Sequence, residues 1–312
     1  MRRRLLGASA ALILAGAAGG CGGDGGAPTL RAVELPGASL SVAFGDGAVW
    51  VTNFDDDTVL RIDPESMRVV AEVPVARQPF AVAVDENGVW VVSRHGTATR
   101  IDPRANRRAA RPILVGGRLM AVAVGEGSVW AFEARAGKLA RIDPRTNTLV
   151  STSRKIVYRA KATADYAGVA VAAGSVWVVS PGEGTVVRFD PRLERPVARI
   201  RVGAGPAALA VADDTIWVAN LDDGTVARVD IRTNQVIGEP IRVGGRPAGI
   251  AIGGGAVWVA SGTGGVTRLD PESGELIGEP IPVRGRLQGL AFGAGAAWVV
   301  DQDAPALTRI EP

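Results

Sequence analysis

One cysteine and one histidine stand in 312 residues, and those two shortages exclude much of the chemistry a chain of this length could carry. A lone Cys21 forms no internal disulfide, so stability has to come from packing and strand pairing. A lone His95 cannot build a multi-histidine metal site or a pair of catalytic imidazoles. Net charge is lacking too. The 35 basic residues include Arg2, Arg3 and Arg4, and setting that head aside leaves 32 basic against 32 acidic residues. A formally neutral chain carries no nucleic-acid footprint, and none is expected as partner.

The apolar run 5–18 behind the arginine head is too short, and too broken by glycine at its end, for a membrane-spanning helix; residues 1–20 read as a secretory signal. Cys21 follows small residues and precedes Gly22-Gly23-Asp24-Gly25-Gly26, a flexible linker over 21–28. The segment resembles the lipobox of bacterial lipoproteins, with Ala18 where that family usually has leucine. The resemblance implies cleavage before Cys21, lipid on Cys21, and an exported, extracytoplasmic protein attached to the cell membrane.

What the chain has in plenty is one phrase written seven times. The tryptophans are Trp50, Trp90, Trp130, Trp177, Trp217, Trp258 and Trp298, spaced by 40, 40, 47, 40, 41 and 40 residues. Ten or eleven residues after each comes an arginine opening an Arg-apolar-acid triplet: Arg61, Arg100, Arg141, Arg188, Arg228, Arg268 and Arg309. That period predicts an all-β, seven-bladed β-propeller over 29–312, with four-stranded blades. In the fifth repeat, strands are expected near 207–211, 215–220, 225–230 and 235–243, joined by the turns Asp213-Asp214, Asp222-Asp223-Gly224 and Arg232-Thr233-Asn234. The fourth strands carry Pro74, Pro112, Pro196, Pro240 and Pro280, which places them at the outer edges, since proline cannot donate to a ladder.

The seventh repeat stops after Arg309-Ile310-Glu311-Pro312 without an outer strand, while Glu34-Leu35-Pro36 matches Glu72-Val73-Pro74. Residues 29–36 are therefore expected to complete the last blade and close the ring. The long third interval places an insertion at 151–167, with both tyrosines, Tyr158 and Tyr166, as a longer outer loop or a partner-docking flap.

The phrases Trp50-Val51-Thr52-Asn53 and Trp217-Val218-Ala219-Asn220, with Thr58-Val59 and Thr225-Val226 before the arginine, resemble the YVTN-repeat β-propellers of bacteria. The chain is more distantly similar to the streptogramin lyases, seven-bladed propellers whose chemistry uses paired histidines, a glutamate and a metal. His95 alone cannot supply that set.

The tryptophans read as wedges between blades, and the Arg and acid of each triplet as paired or turn-orienting groups. The turns Asp55-Asp56-Asp57 and Asp222-Asp223 lack the alternating spacing of a calcium loop. No metal, no cofactor and no catalytic residue is assigned. One recurring feature is not demanded by the fold. Arg77, Arg118, Arg246 and Arg286 occupy the connections from outer to inner strands, on the face where His95 and Glu133 also fall. Together these six are the candidate ligand-binding residues of an anion-binding channel mouth. The expected function is a non-enzymatic, membrane-anchored scaffold binding a small anionic ligand or an envelope protein, as a monomer. The alternative is an exported lyase or hydrolase using the arginine-lined mouth.

Overall fold

A computed structural model describes residues 12–13, 28–153, 167–192 and 195–312. Cys21, most of the signal segment and linker, and the insertion with both tyrosines lie outside the described residues. The described chain is all-β: seven antiparallel sheets, six of them meanders in chain order and the seventh joining the two ends of the chain.

The inner strands are Val42–Gly45, Pro79–Asp85, Leu119–Gly125, Val169–Ala172, Pro206–Ala212, Pro247–Gly253 and Leu287–Gly293. Each packs beside the next and the last beside the first, so the sheets form the blades of a closed ring. Second strands follow at Ala48–Asn53, Gly88–Ser93, Ser128–Glu133, Ser175–Ser180, Thr215–Asn220, Ala256–Ser261 and Ala296–Asp301. Five of these seven are buried at every residue, which explains their nearly unbroken apolar sequence: both faces lie against neighbouring sheets. Because strands alternate in direction, the turns after the second strands and the loops from outer to inner strands share one face, the mouth face. The other two sets of turns share the far face.

Closure follows the expected segment. Thr29–Glu34 pairs antiparallel with Ala306–Glu311, from Thr29 opposite Glu311 to Glu34 opposite Ala306. Beyond it Leu12–Ile13 adds a two-residue strand, opposite Ala32 and Arg31.

All seven tryptophans are fully buried, and each lies opposite its own arginine in the sheet register. Five of the indole N–H groups donate to the carbonyl five residues earlier, at 2.9 to 3.4 Å. Every guanidinium carbon stands 5.0 to 5.9 Å from the centre of its own tryptophan ring. From there the arginine reaches the next blade. Arg61 donates to Pro103 O (2.8 Å) and Asn106 Oδ1 (3.0 Å), Arg188 to Ile231 O (2.8 Å) and Asn234 Oδ1 (2.9 Å). Arg309 donates to Pro64 O (3.0 Å) across the closure. The acid of the triplet works separately, as a cap on its own turn: Asp230 accepts the amides of Arg232 (2.8 Å) and Thr233 (2.7 Å). These arginines therefore join blades through the neighbour's turn, and in the seventh blade Arg309 also pairs with its own triplet acid, its Nη2 2.9 Å from Glu311 Oε1.

The outer strands depart from expectation in three blades. Instead of one strand over 235–243, the fifth blade has Gln235–Val236 and Ile241–Arg242. The second has Arg107–Arg108 and Ile113–Leu114, and the sixth keeps only the bridges Leu269 to Leu276 and Val266 to Ile281. The interruption precedes Pro112, Pro240 and Pro280, which have no N–H to give, and Gly238 and Gly278 take φ of 63° and 65° within it.

Candidate functional site

The residue three places after each tryptophan ends the second strand at the mouth face, and its side chain sets the geometry there. Glu133 is buried, and one carboxylate oxygen accepts the amides of Arg118 and Arg135, both at 3.0 Å. Its other oxygen accepts the amide of Ala136. Asp301 accepts the amides of Arg286 (3.0 Å) and Asp303 (2.9 Å); Ser261 Oγ accepts those of Arg246 (3.1 Å) and Thr263 (3.2 Å). Each cap thus fixes both its own turn and the backbone of the arginine in the adjoining loop. The glycine before that arginine follows from the same contact. At Gly245 and Gly285 φ is 55° and 100°, and an added Cβ would run into Ser261 and Asp301.

With their backbones held, Arg246 and Arg286 project from the loops, while Arg118 is half-buried. Arg246 Nη2 stands 3.7 Å from Asp222 Oδ1, and Arg286 Nε 3.2 Å from Asp303 Oδ1. Their side chains remain 56% and 47% exposed. Blade order divides the four into two pairs, Arg77 and Arg118 flanking blade 2, and Arg246 and Arg286 flanking blade 6. Gly262 brings the second pair together: a Cβ there would lie 3.7 Å from Arg246 Cβ and 4.0 Å from Arg286 Cγ. Two guanidinium stems therefore border a residue without a side chain on the mouth face. Arg77 is exposed, next to Gln78, whose amide donates to Asp57 Oδ1 at 2.7 Å. His95 is exposed in the blade 2 turn, and its amide donates to Ser93 Oγ at 3.2 Å. The same turn accepts, at Gly96 O, the amides of Val115 and Gly116 from the Arg118 loop.

The central channel encloses about 230 Å³ and is lined by three residues from each inner strand or its approach, among which only Ser41 and Gln288 have polar side chains. Around its mouth Leu40, Phe80, Met120, Ala207, Leu221 and Ala248 are all buried. Arg94 lies between two rings there, its guanidinium carbon 5.2 Å from the centre of Phe54 and 4.9 Å from that of Phe80. Sequence reasoning assigned this cluster no role. Its signal was variation at a repeated position: the residue following each cap is Phe54, Arg94, Ala134, Pro181, Leu221, Gly262 or Gln302.

The acidic turns of the mouth are occupied in turn formation. Asp55 accepts the amide of Ala38 at 3.0 Å, and Asp56 accepts Asn53 Nδ2 at 3.1 Å. Among the described residues no three His, Cys, Asp or Glu side chains group to hold a metal ion. On the far face, five turn carboxyls are held below their ordinary 3.8. The leading cause is a hydrogen bond from the Ser66 hydroxyl for Asp63, and from the amides of Ala105, Arg145, Thr233 and Ser273 for Asp102, Asp143, Asp230 and Asp270.

No family model matches the chain, and no curated protein sequence does. Solved structures do. A catalytically inactive virginiamycin B lyase from Staphylococcus aureus with quinupristin superposes with a TM-score of 0.77 at 13% identity, covering 92% of this chain and 100% of that one. A streptogramin B lyase gives 0.78 at 13% identity, with 91% and 97% covered. BamB from Moraxella catarrhalis gives 0.61 at 16% identity, with 91% of each chain covered. Identities this low show a shared fold: the chain is a seven-bladed β-propeller similar in architecture to the streptogramin B lyases.

Proposed function

We propose that this protein is a YVTN-type, non-enzymatic binding scaffold of the cell envelope, exported, anchored through lipid on Cys21, and taking a small anionic ligand on its mouth face. The observation that carries the reading is the approach at Gly262, where Arg246 and Arg286 border a residue without a side chain and their backbones are already fixed by Ser261 and Asp301. Preorganised guanidinium forks suit carboxylate and phosphate oxygens, and fixing the loop beforehand lowers the ordering cost of binding. The alternative, a lyase or hydrolase at the same mouth, needs a titratable group free to move a proton. Glu133 and Asp301, the buried carboxylates of that face, are already committed to backbone amides, three for Glu133 and two for Asp301.

The test is a thermal-shift series of the purified protein against inorganic phosphate, citrate and acidic glycans. A ligand at 100 times its Kd stabilises by about 2.7 kcal/mol, a rise of several degrees. That rise is expected to vanish in R246A/R286A and to survive in R77A/R118A. An unmoved melting temperature with every anion would refute the anionic ligand, and turnover of an added ester would favour the enzyme. In the same strains C21S is expected to move the protein out of the membrane fraction; unaltered fractionation would refute the anchor.

A further inference from the structure

The outer edges of blades 2 and 6 are built on one frame with opposite charge. Residues 102–112 read Asp-Pro-Arg-Ala-Asn-Arg-Arg-Ala-Ala-Arg-Pro, and residues 270–280 read Asp-Pro-Glu-Ser-Gly-Glu-Leu-Ile-Gly-Glu-Pro. Without a gap, Arg104, Arg107 and Arg111 fall on Glu272, Glu275 and Glu279. The backbones correspond as well. Asp102 accepts the amide of Arg104 at 2.9 Å, and Asp270 that of Glu272 at 3.0 Å. Ala109 donates to Arg100 O at 2.8 Å, and Ile277 to Arg268 O at 2.9 Å, where both outer strands are interrupted before their proline.

All six side chains are exposed, and none is in an ion pair with a described residue. The guanidinium groups of Arg104 and Arg107 act on Asp102 only through space. In a chain with equal numbers of acids and bases beyond its first four residues, segregation of this kind needs a reason. Blades 1 and 5 mix signs at the corresponding positions, with Glu65, Arg68 and Glu72 in blade 1 and Arg232, Gln235 and Glu239 in blade 5, and blade 3 carries a single charge, Arg145. Blade 4 has Arg192, Arg195 and Arg199, but Arg199 stands 3.5 Å from Glu183 and the strand Pro196–Arg201 runs unbroken.

We propose that this protein associates with further copies of itself edge to edge, the basic edge of blade 2 in one copy meeting the acidic edge of blade 6 in the next. The two edges are different surfaces, three blade steps or roughly 150° apart on a seven-blade ring, so the contact is head-to-tail and builds chains rather than a two-fold dimer. Pro112 and Pro280 blunt both strands against ladder extension, so the contact is made by side chains. Exposed ion pairs over a small rim make a weak, salt-sensitive association, which tethering at a membrane would favour by raising local concentration.

Sedimentation of the purified protein tests this at salt of about 0.02 M and about 0.5 M, where screening lengths fall from about 20 Å to about 4 Å. At low salt the average mass is expected to rise with protein concentration, and at high salt to return to that of one chain. R104E/R107E/R111E has two acidic edges and stays single, as does E272R/E275R/E279R with two basic edges. An equimolar mixture of the two variants associates, and so does the chain carrying all six changes; R192E/R195E, in blade 4, behaves as the unmodified protein. Circular dichroism melts check that each variant is folded. A protein that stays single at low salt, or whose association ignores the charge swaps, overturns the proposal. So does one that stays single yet binds vesicles of anionic phospholipid through Arg104, Arg107 and Arg111, since the basic edge then faces a polyanionic surface.

Discussion

Changing Arg188 to alanine isolates what holds one blade to the next. The side chain stacks 5.0 Å from the centre of Trp177, donates through Nε to Ser175 Oγ (2.9 Å), and crosses to the fifth blade at Ile231 O (2.8 Å) and Asn234 Oδ1 (2.9 Å). Losing the ring contact costs about 0.5 to 1 kcal/mol for a partly screened cation. Losing charged donors to two acceptors of the neighbouring turn costs about 1 to 1.5 kcal/mol each, at or below the low end for charged hydrogen bonds because the site is part-exposed. The sum, about 3 kcal/mol, lowers the melting temperature by about 6 °C in a domain of this size. R188K keeps the cation over the indole but not the planar fork, so its loss is expected at about half that.

Urea unfolding followed by far-ultraviolet circular dichroism measures these changes, with R192A, on an exposed turn, as the reference. A double-mutant cycle with N234A then extracts the inter-blade part, expected as a coupling of about 1 kcal/mol. If R188A unfolds at the midpoint of R192A, or the cycle closes with no coupling, the arginine is an ornament of its own strand and the blades are held by tryptophan packing alone.

Acid should loosen the ring at its far face. The five turn carboxyls have folded values below their ordinary 3.8, so the native state binds fewer protons than the unfolded chain; their stabilisation is present above 3.8 and is lost as pH falls through the depressed values. The urea midpoint is expected to drop below about pH 4, and a D102N/D143N/D230N variant to show a shallower acid limb than the unmodified protein; parallel limbs would show that these turns do not set the response. Ring closure gives a separate test. Removing residues 29–36 leaves Ala306–Glu311 as an open edge and uncovers the pocket filled by Val33 and Leu35, so it should consume a large part of a total stability of about 5 to 15 kcal/mol. Removing 22–28 should leave the melting temperature unchanged, and equal small effects of the two deletions would refute the closure.

Blade number, strand order and closure were legible because each rests on a residue that has one structural use here. Tryptophan occurs nowhere outside the second strands, and Glu34-Leu35-Pro36 repeats the outer-strand phrase of blade 1. The interruption of the outer strands was half legible. Proline marked the edge, but the split needs the positive φ of Gly238 and Gly278, and glycine is too common in this chain to announce it. The mouth was least legible. That Arg246 and Arg286 meet at Gly262 depends on two loops from different blades, each positioned by a cap 15 residues away in sequence. Glu133 stood among the candidate ligand-binding residues because sequence does not show the three amides that turn toward it.

The caps separate the shape of the mouth from its chemistry. Ser261, Asp301 and Glu133 differ in size and charge, yet each holds an arginine backbone at 3.0 to 3.1 Å, so the loops keep their course whichever acceptor is present. The next residue is released from that duty and ranges from Gly262 to Phe54 and Arg94 around the ring. A propeller built this way can exchange an aromatic-flanked cation at blade 2 for a residue without a side chain at blade 6 without disturbing the tryptophan and arginine packing beneath. Fold likeness at 13% identity is then no guide to a ligand, because the packing leaves these positions free to vary.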